Sequence, residues 1–233
     1  MAIYAISDLH LPFGIYKPMD VFGKVWENYT EKLFYNWNQI VSDDDTVILP
    51  GDLCWATYLE QALADFKFLE SLKGKKIIGK GNHDYFFTTI KKMNEFLSQN
   101  DLKSVSILYN NYFLVEDQLI CGSRGWDILG KTEEDEKLLD REAIRLELSI
   151  TAALKKHPDK EICVFLHYPP DYNTTLTKTN KIMGILEKYN VKNCYYGHLH
   201  AKGINQAFIG NHNSVNFSLI SADYLEFTPK KIM

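Results

Sequence analysis

The sequence of 233 residues carries no excess of positive charge: 26 lysines and arginines stand against 30 acidic residues, for a formal net charge of −4. This balance argues against binding of nucleic acid through a broad basic face. We therefore do not expect a nucleic-acid polymer as a partner. A small nucleotide held by metal ions is not excluded by the charge.

Cysteine is scarce and long hydrophobic runs are missing. The cysteines form no C-x-x-C pair and lie far apart, mostly in apolar runs, at Cys54, Cys121, Cys163 and Cys194. This pattern predicts free buried thiols in a reducing compartment, not a disulfide framework or a zinc knuckle. No run approaches the ~18 apolar residues of a membrane span, and no basic leader opens the sequence. We expect a cytoplasmic protein without a membrane partner.

Strand and helix patterns alternate along the first hundred residues. Buried-strand patterns cover 2–6, 46–50 and 75–79, and helical patterns cover 24–41, 58–72 and 88–100. Such β–loop–α units are typical of a parallel or mixed sheet with helices packed on it. Because the sequence contains no internal repeat, low-complexity tract or linker, we expect a single domain over 1–233.

The second half of the sequence predicts a second sheet. Three short strand patterns at 105–109, 112–115 and 118–121 follow one another without a helix, which favours a β-meander. Further strands are predicted at 161–166, 191–196, 215–220 and 224–227, with helices at 132–156 and 178–189. These patterns predict an α/β fold with two sheets.

A compact polar motif, Gly81-Asn82-His83-Asp84, follows the third predicted strand. In open α/β sheets ligands bind at the carboxyl ends of strands. Asn82 can offer its carbonyl oxygen to a metal ion, His83 can carry a proton, and Asp84 can orient His83. The same residue types also form simple polar turns, so the motif by itself leaves both interpretations open.

Four other predicted strand ends carry similar residues. The candidate ligands from all five loops are Asp8, His10, Asp52, Asn82, His167, His198 and His200. Asp8 and His10, like His198 and His200, are two residues apart, so in extended segments both side chains of a pair would face one site. Five of the seven histidines lie in these clusters, which a set of unrelated polar turns does not explain.

The mixture of carboxylate, imidazole and amide ligands suits manganese, iron or zinc, whereas an all-oxygen set would favour magnesium or calcium. Seven ligands exceed the needs of one tetrahedral ion. They fit two ions about 3.5–4 Å apart that share a bridging carboxylate. The sequence therefore predicts a binuclear metal centre.

The five motifs, in this order over residues 8 to 200, resemble those of the calcineurin-like metallophosphoesterase superfamily, in a small bacterial-type form. The resemblance implies a four-layer α/β/β/α sandwich of two mixed sheets flanked by helices. It implies one ion held by Asp8, His10 and His200, a second held by Asn82, His167 and His198, and Asp52 bridging both. His83 would be the acid facing the phosphate, with Asp84 behind it.

The sequence departs from the common family pattern after Asp52, and it offers only short loops to determine substrate specificity. After Gly51-Asp52 the sequence continues with Leu53-Cys54-Trp55, and Trp55 either lines the substrate mouth or packs in the core. No insertion is large enough for a cap domain, so the loops at 11–23, 122–131 and 168–178 are left to shape specificity. Arg124, in a glycine-flanked loop, either binds a substrate phosphate bidentately or forms a surface ion pair.

The resemblance implies an enzyme that hydrolyses a small phosphorylated substrate, a phosphomonoester or a phosphodiester. Hydroxide bridging the two ions would attack phosphorus in line, and His83 would protonate the leaving alkoxide. No motif for a covalent nucleophile is present. Two alternatives remain open from the sequence: a non-catalytic scaffold that keeps the fold as an interaction module, and a nuclease of the same superfamily.

Overall fold

Two β-sheets packed face to face form the centre of the protein in the computed structural model, which describes residues 1–172 and 180–233. The strands in chain order are β1 (Ile3–Ala5), β2 (Thr46–Leu49), β3 (Lys75–Ile78), β4 (Val105–Ile107), β5 (Phe113–Val115), β6 (Gln118–Ser123), β7 (Glu161–Leu166), β8 (Asn193–Tyr196), β9 (Gly210–His212), β10 (Val215–Leu219) and β11 (Lys230–Lys231). The helices are α1 (Tyr29–Ile40), α2 (Leu63–Ser71), α3 (Ile90–Gln99), α4 (Glu133–Lys156) and α5 (Lys181–Lys188).

Both sheets are mixed. The first has the order β11-β1-β2-β3-β4, with β1 to β4 parallel and β11 antiparallel to β1. The second has the order β5-β6-β7-β8-β10-β9, in which β6, β7, β8 and β10 are parallel and the two outer strands antiparallel. The parallel strands direct their carboxyl ends to a common edge in each sheet, and the candidate ligands lie at these edges.

Alternating burial along the strands produces four layers. Ile3 and Ala5 of β1 pack in the core between the sheets, whereas Tyr4 packs in the core formed with the helices of the first half. In β7, Phe165 faces the first sheet and Val164 faces the core that contains residues of α4 and α5. Successive side chains of a strand point to opposite faces, so each sheet is buried on both sides. The predicted α/β/β/α sandwich is confirmed.

The predicted helix at 24–41 begins later than expected. Asn28 adopts a left-handed backbone with φ of 51°, and α1 starts at Tyr29, after two short 3-10 turns at Asp20–Phe22 and Lys24–Trp26. Val25, in the second of these turns, is exposed. Likewise the predicted helix at 58–72 divides into a 3-10 turn, Leu59–Ala62, followed by α2.

Three further expectations need correction or fall outside the description. The strand at 105–109 belongs to the first sheet as β4, so the predicted meander reduces to the hairpin of β5 and β6. The segment 224–227 is a turn and not a strand, because Glu226 and Phe227 have positive φ angles. The expected helix start at 178 and most of the loop at 168–178 lie outside the described residues.

All four cysteines are buried and unpaired, as predicted. Among the helices in the described part of the chain, none combines the length and apolar character that a membrane span requires.

Candidate metal centre

The candidate ligands converge where the carboxyl ends of the two sheets meet. The loops after β1, β2 and β3 supply Asp8, His10, Asp52 and Asn82, and the loops after β7 and β8 supply His167, His198 and His200. The backbone N–H of His198 donates to both carboxylate oxygens of Asp8, at 3.0 and 2.9 Å. One ligand loop of each sheet is thereby joined directly to the other.

Four of these residues have left-handed backbones, with φ angles of 62° at Asp8, 47° at His10, 52° at Asp52 and 72° at His198. Non-glycine residues adopt this conformation at an energetic cost, and such strained backbones recur at functional sites. The pairs therefore share a site through tight turns. The extended geometry expected from the two-residue spacing is not what brings them together.

The first group of ligand atoms comes from Asp8, His10 and His200, which lie within 4.8 Å of one another. His200 Nε2 is 3.3 Å from Asp8 Oδ1 and 3.3 Å from His10 Nε2. The Asp8 carboxylate and His10 are buried, and His200 is largely so. This is the ligand set that the resemblance implies for one ion.

The second group surrounds Asn82. Its Oδ1 lies 2.7 Å from His167 Nε2 and 2.9 Å from His198 Nδ1. Asp52 faces both groups, because its Oδ2 is 3.5 Å from His167 Nε2 and 3.9 Å from His10 Nε2. Asp8, Asp52 and His167 also form a cluster within 4.8 Å, so two buried carboxylates lie between the imidazoles.

The donor set fits transition-metal ions. Imidazole nitrogens and carboxylate oxygens converge in a buried space, and Nδ1 of His10 and of His167 has no hydrogen-bond partner among the described residues. Such a cluster of acceptors is stabilised by a cation, and nitrogen with oxygen ligands suits manganese, iron or zinc.

Burial sets the protonation of most of the imidazoles. It lowers the pKa of His10 to about 3 and the pKa of His167 and of His198 below their usual range, so these rings are neutral, as metal ligands must be. Burial also lowers the pKa of His200, but Asp8 and Asp223 outweigh it and raise that pKa to about 10. Burial and the charges of Asp84 and Asp8 raise the pKa of Asp52.

Two glycines allow the loops to approach this closely. A Cβ on Gly81 would lie 2.0 Å from Asp52 Oδ1, and a Cβ on Gly197 would lie 2.2 Å from Asp8 Oδ2. Contacts under 3 Å between such atoms do not occur in folded proteins, so both positions require glycine at this spacing.

Asp84 contacts backbone groups and not the ring of His83. Its carboxylate accepts hydrogen bonds from the backbone N–H groups of Asp52, Leu53 and Gly81, at 2.7–2.8 Å. Among the described residues, no hydrogen bond joins it to the His83 imidazole. Asp84 thus fixes the 51–53 loop against the 81–84 loop, which differs from the orienting role expected from the sequence.

His83 lies beside the cluster without entering it. Its ring is 36% exposed, and Nε2 is 4.0 Å from Asp52 Oδ2. The backbone N–H of His83 donates to Asp52 Oδ1 at 2.8 Å, which fixes the residue next to the carboxylate between the two groups. The imidazole is thus partly open to solvent at the border of the ligand cluster.

Asp223 belongs to the site and was missed by the sequence analysis. Its Oδ1 accepts a hydrogen bond from Nδ1 of His200 at 2.9 Å, and its Oδ2 accepts one from the backbone N–H of Ala201 at 3.1 Å. Asp223 follows β10, so the rule that identified the candidate ligands, a polar residue shortly after a buried strand, would also have pointed to this partner of His200.

Arg124 is neither on the surface nor in the ligand cluster. Its side chain is 14% exposed, and its Nη2 lies 3.9 Å from Oε1 of Glu142. Arg141 and Arg145 also approach this buried carboxylate. The backbone carbonyl of Arg124 accepts the N–H groups of His167 and Tyr168, and the Tyr168 ring packs on His198 with centroids 4.2 Å apart. Arg124 is therefore connected to the centre through the His167 loop.

Comparison with known proteins places the chain in a family. Residues 1–202 match the calcineurin-like phosphoesterase family. A search of curated proteins finds no match.

Three solved structures have similar folds. Phosphopantetheinyl hydrolase from Mycobacterium tuberculosis is 14% identical with a TM-score of 0.54, over 100% of this chain and 95% of that one. Protein AQ665 of unknown function from Aquifex aeolicus is 15% identical with a TM-score of 0.52, over 99% and 95% of the two chains. TT1561 of Thermus thermophilus is 15% identical with a TM-score of 0.54, over 85% and 81%. At these identities the likeness concerns the fold alone.

Proposed function

The chain belongs to the calcineurin-like phosphoesterase family, and on that premise we propose that it hydrolyses small phosphate esters at a centre of two metal ions. The observation that carries the proposal is the convergence of the buried Asp8, His10, Asp52 and His167 with the largely buried His200. A scaffold that had lost catalysis would have no need to keep this cluster of buried charged and polar groups, which is costly without a cation.

Asp8, His10 and His200 would hold one ion, and Asn82, His167 and His198 the other, with Asp52 between them. Manganese, iron and zinc suit these ligands. When bound, such ions make water a stronger nucleophile and neutralise charge on phosphoryl oxygens. The protein contributes the fixed geometry, which the hydrogen bonds of Asp8, Asp84 and Asp223 to the ligand loops maintain.

His83 is our candidate for the group that delivers a proton to the leaving oxygen. Its ring borders the cluster and is partly exposed, so a substrate phosphoryl group held at the centre would lie within its reach. Burial lowers the pKa of His83 below its usual value in the metal-free protein. An anionic substrate favours the protonated ring and would raise that pKa toward the working pH.

Arg124 is our candidate for a group that binds a substrate oxygen. A guanidinium offers paired N–H donors that match phosphate. The Nε of Arg124 is buried and has no hydrogen-bond partner among the described residues.

We further place the protein in a reducing compartment such as the cytoplasm, which its four unpaired cysteines support.

Metal reconstitution tests the proposal. We expect two manganese or iron ions per chain by elemental analysis, together with hydrolysis of a phosphomonoester or a methyl phosphodiester. His10→Ala should lose metal and activity, whereas His212→Ala, outside the cluster, should keep both. Two bound ions without hydrolysis of any ester would favour the scaffold, and fewer than one bound ion would overturn the binuclear centre.

A further inference from the structure

An apolar cavity of about 350 Å³ opens beside the candidate centre, on the side of His10, His83 and His200. Its other walls are formed mainly by Met19, Phe22, Trp26 and Trp55, with Lys17 at the edge. A volume of this size is in the range of small-molecule sites. Two histidines of the ligand cluster and the candidate proton donor therefore share a wall with a hydrophobic pocket.

The aromatic walls are in direct contact with the ligand histidines. Trp55 stacks on His10 with ring centroids 4.6 Å apart and an interplanar angle of 16°, and it lies 4.7 Å from the His83 ring. Trp26 meets His200 edge-on at 5.8 Å and is itself buried against Phe227. A group in the cavity would thus lie next to any phosphoryl group bound at the centre.

Lys17 adds one positive charge at the edge of this cavity. Its Nζ lies 3.3 Å from the centroid of the Trp55 ring. In the part of the chain that the structure describes, no carboxylate forms an ion pair with it. The ammonium group rests on the face of Trp55 and keeps its charge unpaired by a carboxylate, so it can also meet an anionic oxygen of a ligand, whereas the walls offer contacts to apolar atoms.

The loop that leads into the Met19–Trp26 side of the cavity is anchored at its start. The buried carboxylate of Asp65 accepts the backbone N–H groups of Phe13 and Gly14, at 2.9 and 3.2 Å. A Cβ on Gly14 would lie 1.9 Å from the Gln61 carbonyl oxygen, which shows how closely this loop packs on the 3-10 turn before α2. Preorganised walls lower the entropic cost of binding.

We propose that this cavity binds the leaving group of the substrate, and that the preferred substrates are phosphate esters of alcohols that carry an apolar ring. This inference rests on the proposed phosphoesterase function. The leaving oxygen must lie near His83, and the cavity begins at His83. A polyhydroxylated leaving group would place its hydroxyls against Met19, Phe22 and Trp26, where they would lose hydrogen bonds to water without replacement.

A substrate pair with leaving groups of similar basicity tests the inference. Benzyl and glyceryl esters, each supplied as the monoester and as the methyl diester, would be compared by kcat/KM. We expect the benzyl ester to be preferred by about tenfold or more, because its apolar ring is transferred from water into the cavity. Equal kcat/KM values for the two esters would overturn the proposal.

Substitutions at two neighbouring residues distinguish an effect of the cavity from an effect of the surrounding surface. Phe22 lines the cavity and is 53% exposed, whereas Val21, in the same 3-10 turn, is 71% exposed and does not line it. Phe22→Ser should reduce the benzyl preference severalfold, and Val21→Ser should leave it unchanged. A preference that survives Phe22→Ser, or falls equally in both variants, would contradict the assignment.

Binding of phosphonates tests the cavity even if no ester is hydrolysed. In that case the phosphoesterase proposal fails, but the proposal that the cavity binds an apolar group can still be tested. Trp26 and Trp55 report on the cavity by fluorescence. We expect benzylphosphonate to bind the metal-loaded protein about tenfold more tightly than 2-hydroxyethylphosphonate, and Phe22→Ser to remove most of the difference. Equal affinities would show that the cavity does not recognise an apolar group.

Discussion

Nδ1 of His200 donates a hydrogen bond to Oδ1 of Asp223 at 2.9 Å, and Nε2 of the same ring consequently faces Asp8 and His10. Carboxylates that hold a ligand histidine in this way fix both its tautomer and its orientation. Asp223 lies beyond residues 1–202, the part of the chain that matches the family. A residue outside the family match therefore orients one of the candidate ligands.

Asp223→Ala should weaken metal binding by about 10- to 100-fold, the usual effect of losing such a partner. Asp223→Asn should weaken metal binding less, because the amide keeps an oxygen that can accept the hydrogen bond from Nδ1–H of His200. Titration of the metal-free protein with manganese measures both. Asp43→Ala, in an exposed turn, is the control. Unchanged affinity in Asp223→Ala, with only a lower melting temperature, would limit Asp223 to a structural role.

Metal binding should release at least one proton per chain at pH 8. In the metal-free protein the pKa of His200 is about 10, so the ring is protonated at this pH, and it must be neutral to coordinate. Calorimetric titration in two buffers of different ionisation enthalpy measures the release. Because protons compete with the metal, apparent affinity should fall as pH falls. A titration that releases no proton would contradict a ligand role for His200.

The candidate ligands could be predicted because each follows a buried strand that the apolar pattern identifies. The loop conformations that bring these residues together could not be predicted. Asp8, His10 and His198 lie in left-handed turns, and such backbone angles depend on long-range contacts, here the bond from His198 N–H to Asp8. The role of Asp84 was also beyond a local pattern, because its partners include the loop around residue 52.

The presence of two sheets was predictable for a similar reason and the four layers from the family resemblance, whereas the sheet to which each strand belongs was not predictable. Strands buried on both faces give continuous apolar runs, and these runs were recognised. A short run such as Val105–Ile107 carries no mark of which sheet it joins, and its parallel pairing with β3 depends on the helix between them. Residues 224–227 are apolar enough for a strand, but their turn geometry places Asp223 against His200.

Asp52→Asn should be the most damaging single ligand substitution. Its Oδ2 faces His167 and His10, one from each ligand group, so an amide here removes negative charge from both metal positions. We expect loss of at least one ion by elemental analysis and loss of nearly all activity. Asp45→Asn is a matched control, since Asp45 is also buried and accepts two backbone N–H groups away from the centre. Two retained ions would disprove the bridging assignment.

Arg124→Ala should raise KM more than it lowers kcat, as expected for a group that binds substrate and transition state about equally. Steady-state kinetics on the best ester found would measure this. Arg145→Ala is the control, because Arg145 also pairs with Glu142, at 2.7 Å. If both variants behave alike, the effect comes from the disturbed arginine cluster around Glu142 and not from a contact with substrate.

His83→Asn should separate proton transfer from metal binding. The His83 ring lies beside the ligand cluster, with Nε2 4.0 Å from Asp52, so the variant should keep both ions by elemental analysis. Activity should nevertheless fall by ~10²–10⁴-fold, the usual contribution of a positioned acid. A variant that loses metal would show instead that the imidazole is a ligand.

The loss in His83→Asn should also depend on the leaving group. A 4-nitrophenolate departs without a proton, so esters of 4-nitrophenol should lose least, whereas an alkoxide such as that of benzyl alcohol needs the proton and should lose most. Both leaving groups carry an aromatic ring, so binding in the cavity beside His83 is closely matched between them. The ratio of the two losses therefore reports proton transfer. Equal losses would mean that His83 acts on the phosphoryl oxygens and does not protonate the leaving group.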